Sequence, residues 1–358
     1  MTRISKNIPP NDSPKNTSLF PFLAKLSNRE NLSFDEAKQL FVAFSDESIH
    51  VETRVVQIAG ILSIIQAKGA TAAEIAGLAS AMREKATKIK AHSKNFIDIV
   101  GTGSSSVKTF NVSTAAAFVI AGAGLSVAKH GNRSVTSSTG SADVLEILGV
   151  KITSEPEIAQ ACLNGAGICF LFAQKYHSSL GFVGKVRKHL GIRTVFNIIG
   201  PLANPANAPK QIVGVSSKSL VEPMAEALSL LGIEKAWVVH GLDGLDELTL
   251  NGESFVAEIE KDKIRTFNIS PEEFGLKRAK IEHLTANSPT ESAKIITEVL
   301  NGKRRDEARN LVVLNAAAAL LVGGKASEPM HAARLAEQSI DSHSASTKLE
   351  RLVTTTNR

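Results

Sequence analysis

The sequence predicts an α/β protein in which a small N-terminal helical domain precedes a larger α/β domain with a mostly parallel sheet. From residue 20 to about residue 90 the pattern is helical. From residue 96 to about residue 260 short apolar runs instead alternate with helical stretches, which is typical of a parallel sheet. At 358 residues with 43% hydrophobic content, the chain is long enough for two domains.

Changes in composition set the expected domain boundaries. Residues 1–18 are rich in Asn, Ser, Pro and Lys and are predicted to be a disordered tail. The helical domain is expected over residues 19–92. The α/β domain is expected over residues 93–358, whose last part turns helical again, notably over residues 304–322.

Local signals support the helices of the first domain. Ser33 is followed three residues later by Glu36, and Thr71 by Glu74, which is the spacing of a capping box at a helix N-terminus. Gly69 stands where the helix that begins near residue 51 should end.

The second domain contains apolar runs of strand length. They are predicted to form strands over residues 96–100, 125–128, 167–172, 211–215 and 236–240. The first strand is broken sharply by Gly101-Thr102-Gly103. Hydroxyl, amide and amino groups follow at Ser104, Ser105, Ser106, Lys108, Thr109, Asn111, Ser113 and Thr114. A glycine loop between a strand and a helix points backbone N–H groups at an anion, so this stretch predicts a site for a polyphosphorylated ligand.

A second polar segment, Lys129-His130-Gly131-Asn132-Arg133, follows the next strand, and an Ala-rich helical run separates the two strands. In such a βαβ layout ligands bind beyond the carboxyl ends of the strands, so both loops are expected to face one crevice. An isolated Gly-X-Gly is usually only a strand-to-helix turn. The second loop is what favours a binding site here.

Taken in order, these motifs resemble the anthranilate phosphoribosyltransferase family, whose members join anthranilate to phosphoribosyl pyrophosphate in tryptophan biosynthesis. The matching segments are GTG with TFNVST (109–114), AKHGNR (128–133), GSADVLE (140–146), VRKHLGIRTVFNIIGPLANP (186–205), VVHGLDGLDEL (238–248) and NAAAAL (315–320). The resemblance covers most of the chain and implies a nucleoside phosphorylase/phosphoribosyltransferase-like fold. It also implies that a helical segment near residues 177–190 completes the first domain, with the catalytic cleft at the junction.

The resemblance implies that both polar loops bind phosphoribosyl pyrophosphate, the first through its diphosphate and phosphate and the second through added charge and the sugar. The implied contacts are Gly101, Thr102, Gly103, Ser104, Ser105, Thr109, Asn111, Val112, Ser113, Thr114, Lys129, His130, Gly131, Asn132 and Ser141. A structural role as a helix N-cap explains Ser141 nearly as well.

The residues implied for anthranilate are Gly101, Asn132, His177, Arg187 and Pro201. A guanidinium pairs with a carboxylate through two parallel hydrogen bonds, which suits Arg187 to an ortho-aminobenzoate. Without the resemblance Arg187 would be assigned to the surface, and Arg193 competes with it. His130 and Asn132 would position the substrates, and no residue is assigned as a certain catalytic acid or base.

Asp246 and Glu247, together with Ser113, are the residues predicted to hold Mg²⁺. Adjacent carboxylates on a regular strand point to opposite faces, so joint coordination requires a loop, and Gly241, Asp243 and Gly244 supply one. An isolated Asp-Glu pair is more often a solvated turn, and the resemblance reverses that judgement.

One departure lies in the first motif, where the family usually reads GTGGD and this chain has Ser104-Ser105. A serine at 104 crowds backbone that glycine would let approach the pyrophosphate. The serine at 105 removes a carboxylate that could order a magnesium-bound diphosphate, but it equally removes a negative charge beside an anionic ligand. The sequence therefore leaves open how the replacement changes efficiency, metal dependence and ligand binding.

Composition limits the cellular compartments and the binding partners that are compatible with the sequence. The formal net charge of +6 is modest for this length, and 5% aromatic residues give little material for stacking bases, so a nucleic-acid partner is not expected. Cys162 and Cys169 lack metal-ligand spacing and are expected to be buried thiols in a reducing compartment. No run has the length of a membrane span or the apolar core of a signal peptide, which predicts a cytoplasmic enzyme with no membrane partner. The resemblance to the family also implies that the protein forms a homodimer.

Two other classes stay open. The basic charge and the altered loop permit a relative of this fold that has lost catalysis and binds nucleic acid. A pyrimidine nucleoside phosphorylase-like enzyme would share the architecture, although the lysine-histidine-serine glycine-rich signature of that family is absent from the sequence.

Overall fold

The computed structural model describes residues 13–103, 105, 107–134 and 139–358. Within these ranges the chain forms fifteen α-helices and seven β-strands, numbered in chain order. The helices are α1 (Phe20–Ser27), α2 (Phe34–Ala43), α3 (Val51–Lys68), α4 (Ala72–Lys85), α5 (Val112–Gly122), α6 (Ser141–Ile147), α7 (Pro156–Ala161), α8 (Ala173–Tyr176), α9 (Gly181–Leu190), α10 (Phe196–Ile199), α11 (Val221–Leu230), α12 (Pro289–Leu300), α13 (Glu307–Val322), α14 (Pro329–Asp341) and α15 (Ser344–Thr356). The strands are β1 (Phe96–Gly101), β2 (Ser126–Gly131), β3 (Ile168–Phe172), β4 (Lys210–Gly214), β5 (Lys235–Gly241), β6 (Ser254–Glu260) and β7 (Lys263–Ile269).

The chain divides into two compact units, and the smaller one is helical. It comprises residues up to Lys85 together with residues 178–199, and so contains α1–α4, α9 and α10. Its first segment ends seven residues earlier than the predicted boundary at 92, and its returning segment runs beyond the predicted 177–190.

The local signals in this unit act as the sequence predicted. The Ser33 hydroxyl accepts a hydrogen bond from Glu36 N at 3.2 Å, and the Glu36 carboxylate accepts one from Ser33 N at 2.7 Å. Thr71 and Glu74 form the same reciprocal pair at the start of α4. Gly69 ends α3 with a φ of 83°, a conformation that glycine adopts without strain.

The residues just before α1 are ordered, which corrects the predicted length of the tail. Residues 14–16 form a 3₁₀ turn, and Gln57 Nε2 donates to the Pro14 carbonyl at 2.7 Å. The Ser18 hydroxyl donates to Asp46 Oδ2 at 2.6 Å. Composition alone predicted disorder through residue 18 because it does not register these specific hydrogen bonds to the helical unit. Residues 1–12 lie outside the described part of the chain.

The larger unit comprises residues 86–177 and 200–358 and contains a seven-stranded sheet in the order β3-β2-β1-β4-β5-β6-β7. The first five of these strands are parallel, and β6 and β7 pair antiparallel at one edge. The prediction of a mostly parallel sheet is therefore confirmed. The almost fully buried helices α5 and α13 pack in its core.

One strand boundary differs in a way that matters for the site. The sequence predicted that the second strand ends at residue 128, whereas β2 continues to Gly131. Lys129 and His130 are thus buried strand residues, 4% and 3% exposed, and not loop residues. The prediction failed because polar side chains normally end a buried strand, and here they are satisfied by partners inside the protein.

Both cysteines are buried free thiols, as predicted. Among the described residues, the structure has no helix of the length and apolarity that crossing a membrane requires.

Candidate active site

The strand order places the candidate site at the middle of the sheet. The chain builds outward from β1 through β2 to β3 and then returns to the other side of β1 with β4. Such a switch point leaves a crevice beyond the carboxyl ends of the strands, where ligands bind in open α/β sheets. The loop after β1 lies against the end of β4, because Thr102 N donates to the Gly214 carbonyl at 2.8 Å.

The glycine loop after β1 is held by Asp246. Gly103 adopts a φ of 66°, and its N–H donates to Asp246 Oδ2 at 2.9 Å. A Cβ added to Gly101 would lie 2.8 Å from the same oxygen, so glycine is needed for this close approach. The Ser105 hydroxyl donates to the Val107 carbonyl at 2.6 Å. Ser104, which the sequence assigned to the pyrophosphate, lies outside the described residues.

The first turn of α5 is the second part of the site. Ser113 N donates to Glu247 Oε1 at 2.9 Å, so a carboxylate lies at the helix N-terminus where anions are favoured. Asn111 is fixed by Ser292, whose hydroxyl accepts from Asn111 N and donates to Asn111 Oδ1, both at 2.9 Å. The side chains of Val112 and Thr114 are fully buried, which leaves the backbone of this turn facing the site.

Lys129 brings a buried cation to the same place. Its Nζ donates to the Ile99 carbonyl at 2.6 Å and to the Ser113 hydroxyl at 3.2 Å. Burial lowers the pKa of Lys129 to about 8, although the nearby Asp98 and Glu247 carboxylates oppose that change. These hydrogen bonds fix the ammonium in position. Its lowered pKa means that only part of the Lys129 population loses its proton near neutral pH.

Asp246 and Glu247 lie in the loop between β5 and β6, as the sequence required for joint action. Burial and the neighbouring Asp246 charge raise the pKa of Glu247 to about 8. Glu247 Oε2 is enclosed and has no hydrogen-bond partner among the described residues. A carboxyl group of this kind is stabilised in its charged form by a cation, so the residues present fit Mg²⁺.

No group of three or more His, Cys, Asp or Glu side chains that could hold a metal ion occurs in the described ranges. Magnesium needs no such cage, because it is commonly bound by one or two carboxylates together with water and substrate phosphates. Ser113 is adjacent to Glu247, and its hydroxyl could complete the protein's share of the ligands.

His130 lies on the opposite face of β2 from Lys129, because successive strand residues alternate. Its ring centroid is 5.2 Å from that of His177, in an edge-to-face arrangement. Burial and the neighbouring His177 lower the pKa of His130 to about 3, with a hydrogen bond to the backbone of Gly200 acting in the other direction. His130 is thus neutral at physiological pH and too weak a base to remove a proton efficiently.

Asn132 and Ser141 follow β2. Asn132 is exposed, and its Oδ1 accepts from Arg133 N at 2.8 Å. The Ser141 hydroxyl donates to the Asn132 carbonyl at 3.4 Å. Gly140, not Ser141, is the N-cap of α6, so the structural explanation offered by the sequence for Ser141 is wrong.

Arg187 belongs to the helical unit. Its guanidinium carbon is 5.3 Å from the Phe196 ring centroid, and Nη2 donates to Asn197 Oδ1 at 3.2 Å. Burial lowers the pKa of Arg187, and its enclosed Nε has no partner among the described residues. Arg193 is exposed. The partly buried Arg187, with donor capacity to spare, is thus the better candidate for an anionic ligand.

Sequence reasoning missed Asp98 and Asn204. Asp98 is fully buried in β1 and accepts hydrogen bonds from His130 N and Asn204 Nδ2. Burial raises its pKa to about 6, against the opposing influence of the Lys129 charge. A single carboxylate within the apolar run Phe96–Gly101 was the available signal. Pro201, predicted for the aromatic substrate, lies near Asn204 in sequence, and its carbonyl accepts from Gln211 Nε2 at 3.3 Å.

Comparison with known proteins agrees with this architecture. Residues 20–86 match the helical bundle domain of the glycosyl transferase family, and residues 93–346 match the a/b domain of that family. Anthranilate phosphoribosyltransferase of Desulfosudis oleivorans is 46% identical over 331 residues, which cover 92% of this chain and 96% of the relative.

Two solved structures are also similar. Anthranilate phosphoribosyltransferase from Thermus thermophilus has a TM-score of 0.87 and 39% identity, covering 94% of this chain and 99% of that one. The Saccharomyces cerevisiae enzyme in complex with phosphoribosyl pyrophosphate and Mg has a TM-score of 0.86 and 28% identity, covering 95% and 98%. The chain belongs to the anthranilate phosphoribosyltransferase family. These relatives confirm the resemblance seen in the sequence and do not support the nucleic-acid-binding or nucleoside phosphorylase alternatives.

Proposed function

We propose that this chain transfers the phosphoribosyl group of phosphoribosyl pyrophosphate to the amine of anthranilate, giving N-(5-phosphoribosyl)anthranilate and diphosphate. One observation carries the proposal beyond family membership. The carboxylates of Asp246 and Glu247 hold the glycine loop and the first turn of α5 beside the buried ammonium of Lys129. Backbone donors, a fixed cation and paired carboxylates are what a magnesium-bound diphosphate requires.

In the reaction the amine nitrogen bonds to the anomeric carbon of the sugar as the bond from that carbon to the diphosphate oxygen breaks. Positive charge develops on the ribose ring and negative charge on the leaving group, so fixed donors around the diphosphate lower the barrier. We assign this role to the loop Gly101–Gly103, to Ser105, to the backbone of residues 109–114, and to the hydroxyls of Thr109 and Ser113. Lys129 adds a cation that burial has already desolvated. Gly131, Asn132 and Ser141 complete the predicted contacts to the sugar and its phosphate.

When bound, Mg²⁺ would supply charge neutralisation of the diphosphate, and Asp246, Glu247 and the Ser113 hydroxyl are the residues that would hold it. The yeast relative described with phosphoribosyl pyrophosphate and Mg supports a role for Mg²⁺ in this family. Each carboxylate already uses one oxygen on a backbone N–H of the substrate loops. A movement of the two metal-binding carboxylates would therefore also move the loops that bind the diphosphate.

For anthranilate we propose that Arg187 pairs with the carboxylate, while Gly101, Asn132, His177 and Pro201 shape its surroundings. His130 stays neutral and orients the substrates without acting as a general base. The proton lost by the amine can pass to the neighbouring carboxylate of the substrate itself or to water, so no protein base is needed.

The cellular assignments are also proposals. The named product belongs to tryptophan biosynthesis, and two buried free thiols are in keeping with a reducing cytoplasm. Three exposed valines of the helical unit, Val42, Val51 and Val56, would suit the interface of a homodimer. Sedimentation velocity of the parent and of Val56→Lys tests this, because a dimer through this surface should weaken in the variant.

The deciding experiment is a matrix of arylamines against phosphoribosyl pyrophosphate, with and without magnesium, followed by product fluorescence and diphosphate release. Diphosphate release that requires anthranilate, phosphoribosyl pyrophosphate and Mg²⁺ together is the expected result. Release of diphosphate without any arylamine, or no turnover under any combination, would contradict the proposal.

A further inference from the structure

The side chain of Asp98 joins two segments that the proposed function assigns to the acceptor side of the site. Its Oδ1 accepts from the backbone N–H of His130 at 3.2 Å, and its Oδ2 accepts from Asn204 Nδ2 at 2.8 Å. Asn204 Nδ2 also donates to the Ala128 carbonyl at 2.7 Å, and Asn204 Oδ1 accepts from Ala206 N at 2.8 Å. The end of β2 and the segment that follows Pro201 are therefore fixed to each other through two buried side chains.

A third buried side chain continues this connection. Gln211 of β4 stands opposite Asp98 in the sheet register, is fully buried, and donates to the Pro201 carbonyl at 3.3 Å. Neighbouring strands thus hold the segment at Pro201 and at Asn204. Neither Asp98 nor Asn204 is exposed, with 0% accessibility for each, so neither can contact a substrate.

A need for stability does not explain why this position carries a charge. Removing a carboxylate from water is costly, and a well-packed apolar side chain at such a site is often at least as stabilising. Asp98 recovers part of the cost through its hydrogen bonds and through the Lys129 charge. Beyond stability, the pair fixes the position of the end of β2 relative to the segment that follows Pro201.

We propose that Asp98 and Asn204 form a positioning pair that sets the relative placement of His130 and Pro201 for the arylamine acceptor. The proposal rests on the proposed function. The pair acts through the His130 backbone and the Pro201 segment, and its contribution is to the geometry in which the amine meets the sugar. Small displacements of reacting groups have large effects on rate, which makes the pair visible in kinetics.

The test exchanges the two side chains. In Asp98→Asn the new NH2 group must face one of two donors, His130 N or Asn204 Nδ2. Asn204→Asp alone sets two carboxylates against each other. The double variant Asp98→Asn with Asn204→Asp again pairs an amide donor with a carboxylate acceptor. It keeps acceptors for His130 N and Ala206 N, but the carboxylate oxygen that replaces Asn204 Nδ2 then faces the Ala128 carbonyl, which is also an acceptor.

We expect each single variant to lower kcat about 100-fold and to raise the KM for anthranilate, with little change in the KM for phosphoribosyl pyrophosphate. The double variant should turn over faster than either single variant, and the repulsion between its new carboxylate and the Ala128 carbonyl should keep it below the parent. Ser339→Ala is the matched control, because it removes a buried hydrogen bond of 2.8 Å to the Val119 carbonyl elsewhere in the same unit. It should lower the melting temperature without changing kcat.

Circular dichroism and thermal melts on every variant separate loss of fold from loss of geometry. Folded single variants that turn over like the parent would overturn the proposal, as would a folded double variant with no recovery. Where the single variants do not fold, the double variant decides alone: measurable phosphoribosyl transfer by a folded double variant supports the pair, and a folded double variant without any turnover refutes it. A parent without any phosphoribosyl transfer would instead refute the proposed function on which the pair depends.

Discussion

Lys129 and His130 are neighbours on β2, yet their side chains lie on opposite faces of the sheet and in opposite electrostatic surroundings. On the Lys129 face a buried ammonium contacts Ser113 and lies near the carboxyl group of Glu247. On the His130 face two imidazole rings meet, and burial holds the pKa of His130 near 3. One strand therefore presents a charged surface, suited to a diphosphate, and a neutral one, suited to an aromatic ring.

Each face of β2 lacks a charge that its proposed ligand requires. The charged face has one ammonium and two carboxyl groups, and it needs a metal ion to balance the negative charge once a polyanion binds. The neutral face has no charge of its own on His130 with which to bind the carboxylate of anthranilate, so that cation must come from another residue. Removing or restoring charge on one side at a time therefore tests each face separately.

The largest effect is expected from removing both carboxylates of the charged face. Asp246→Asn with Glu247→Gln keeps the shapes and removes the charges, so turnover should be nearly abolished while the fold is preserved. A chelator should abolish turnover of the parent as well. The exposed Glu253→Gln, which follows in the same chain segment, is the control and should behave like the parent. Turnover of the double variant with unchanged magnesium dependence would move the metal site elsewhere.

Arg187→Ala tests the source of the cation for the acceptor. Losing a paired charge in a desolvated site costs about 2 to 5 kcal/mol, and the loss should appear in the kinetics of anthranilate. The KM for phosphoribosyl pyrophosphate should stay close to that of the parent. Arg193→Ala, at the exposed competing position, should change neither. An unchanged KM and kcat for anthranilate in Arg187→Ala would exclude the assigned role.

Restoring the family's usual loop sequence tests whether the loop after β1 holds the diphosphate. Ser104→Gly with Ser105→Asp returns a flexible backbone and a carboxylate to the diphosphate loop. Magnesium dependence and affinity for phosphoribosyl pyrophosphate should therefore shift together. The sign of the affinity change depends on whether magnesium bridges the new carboxylate to the ligand. Superimposable titrations of both ligands, with a change only toward anthranilate, would show that this loop does not hold the diphosphate.

A smaller effect follows from the titration of the charged face. The pKa of Glu247 is raised to about 8, so this group holds a proton at pH 7 in the free protein, and a bound cation must displace that proton. Affinity for magnesium with phosphoribosyl pyrophosphate should thus rise with pH up to about 8. Above that pH, Lys129 loses its own proton and the gain should stop. Titration calorimetry at pH 7 in two buffers of different ionisation enthalpy measures the proton release, which Glu247→Gln should remove. Heats that are independent of the buffer in the parent would contradict this coupling.

The sequence predicted the helical and α/β units and the parallel strands, because periodicity and capping residues act locally. It also predicted that Asp246 and Glu247 occupy a loop, since adjacent carboxylates cannot share a ligand from a regular strand. It could not predict that these side chains would hold Gly103 and Ser113, because those contacts join positions far apart in the chain.

Burial of polar groups was the main source of error. Lys129 and His130 were assigned to a loop because charge normally ends a buried strand, and only the tertiary partners of these residues explain their place in β2. Asp98 and Asn204 were overlooked for the same reason. For Ser141 the alternative role as a helix N-cap was wrong, because Gly140 occupies the N-cap position of α6. Local sequence patterns carry little information on whether a buried polar group has a hydrogen-bond partner from a distant part of the chain.

The two buried cysteines give the α/β unit its own reporters of local opening. Cys169 stands opposite Ala128 in the sheet, one residue before Lys129, and burial raises its thiol pKa well above the ordinary value. Alkylating reagents require a thiolate in contact with solvent, so the closed protein should resist them. The rate of labelling then measures how often β2 and β3 separate. Ligands that bind at the end of β2 should slow that labelling, which allows occupancy to be followed without any turnover.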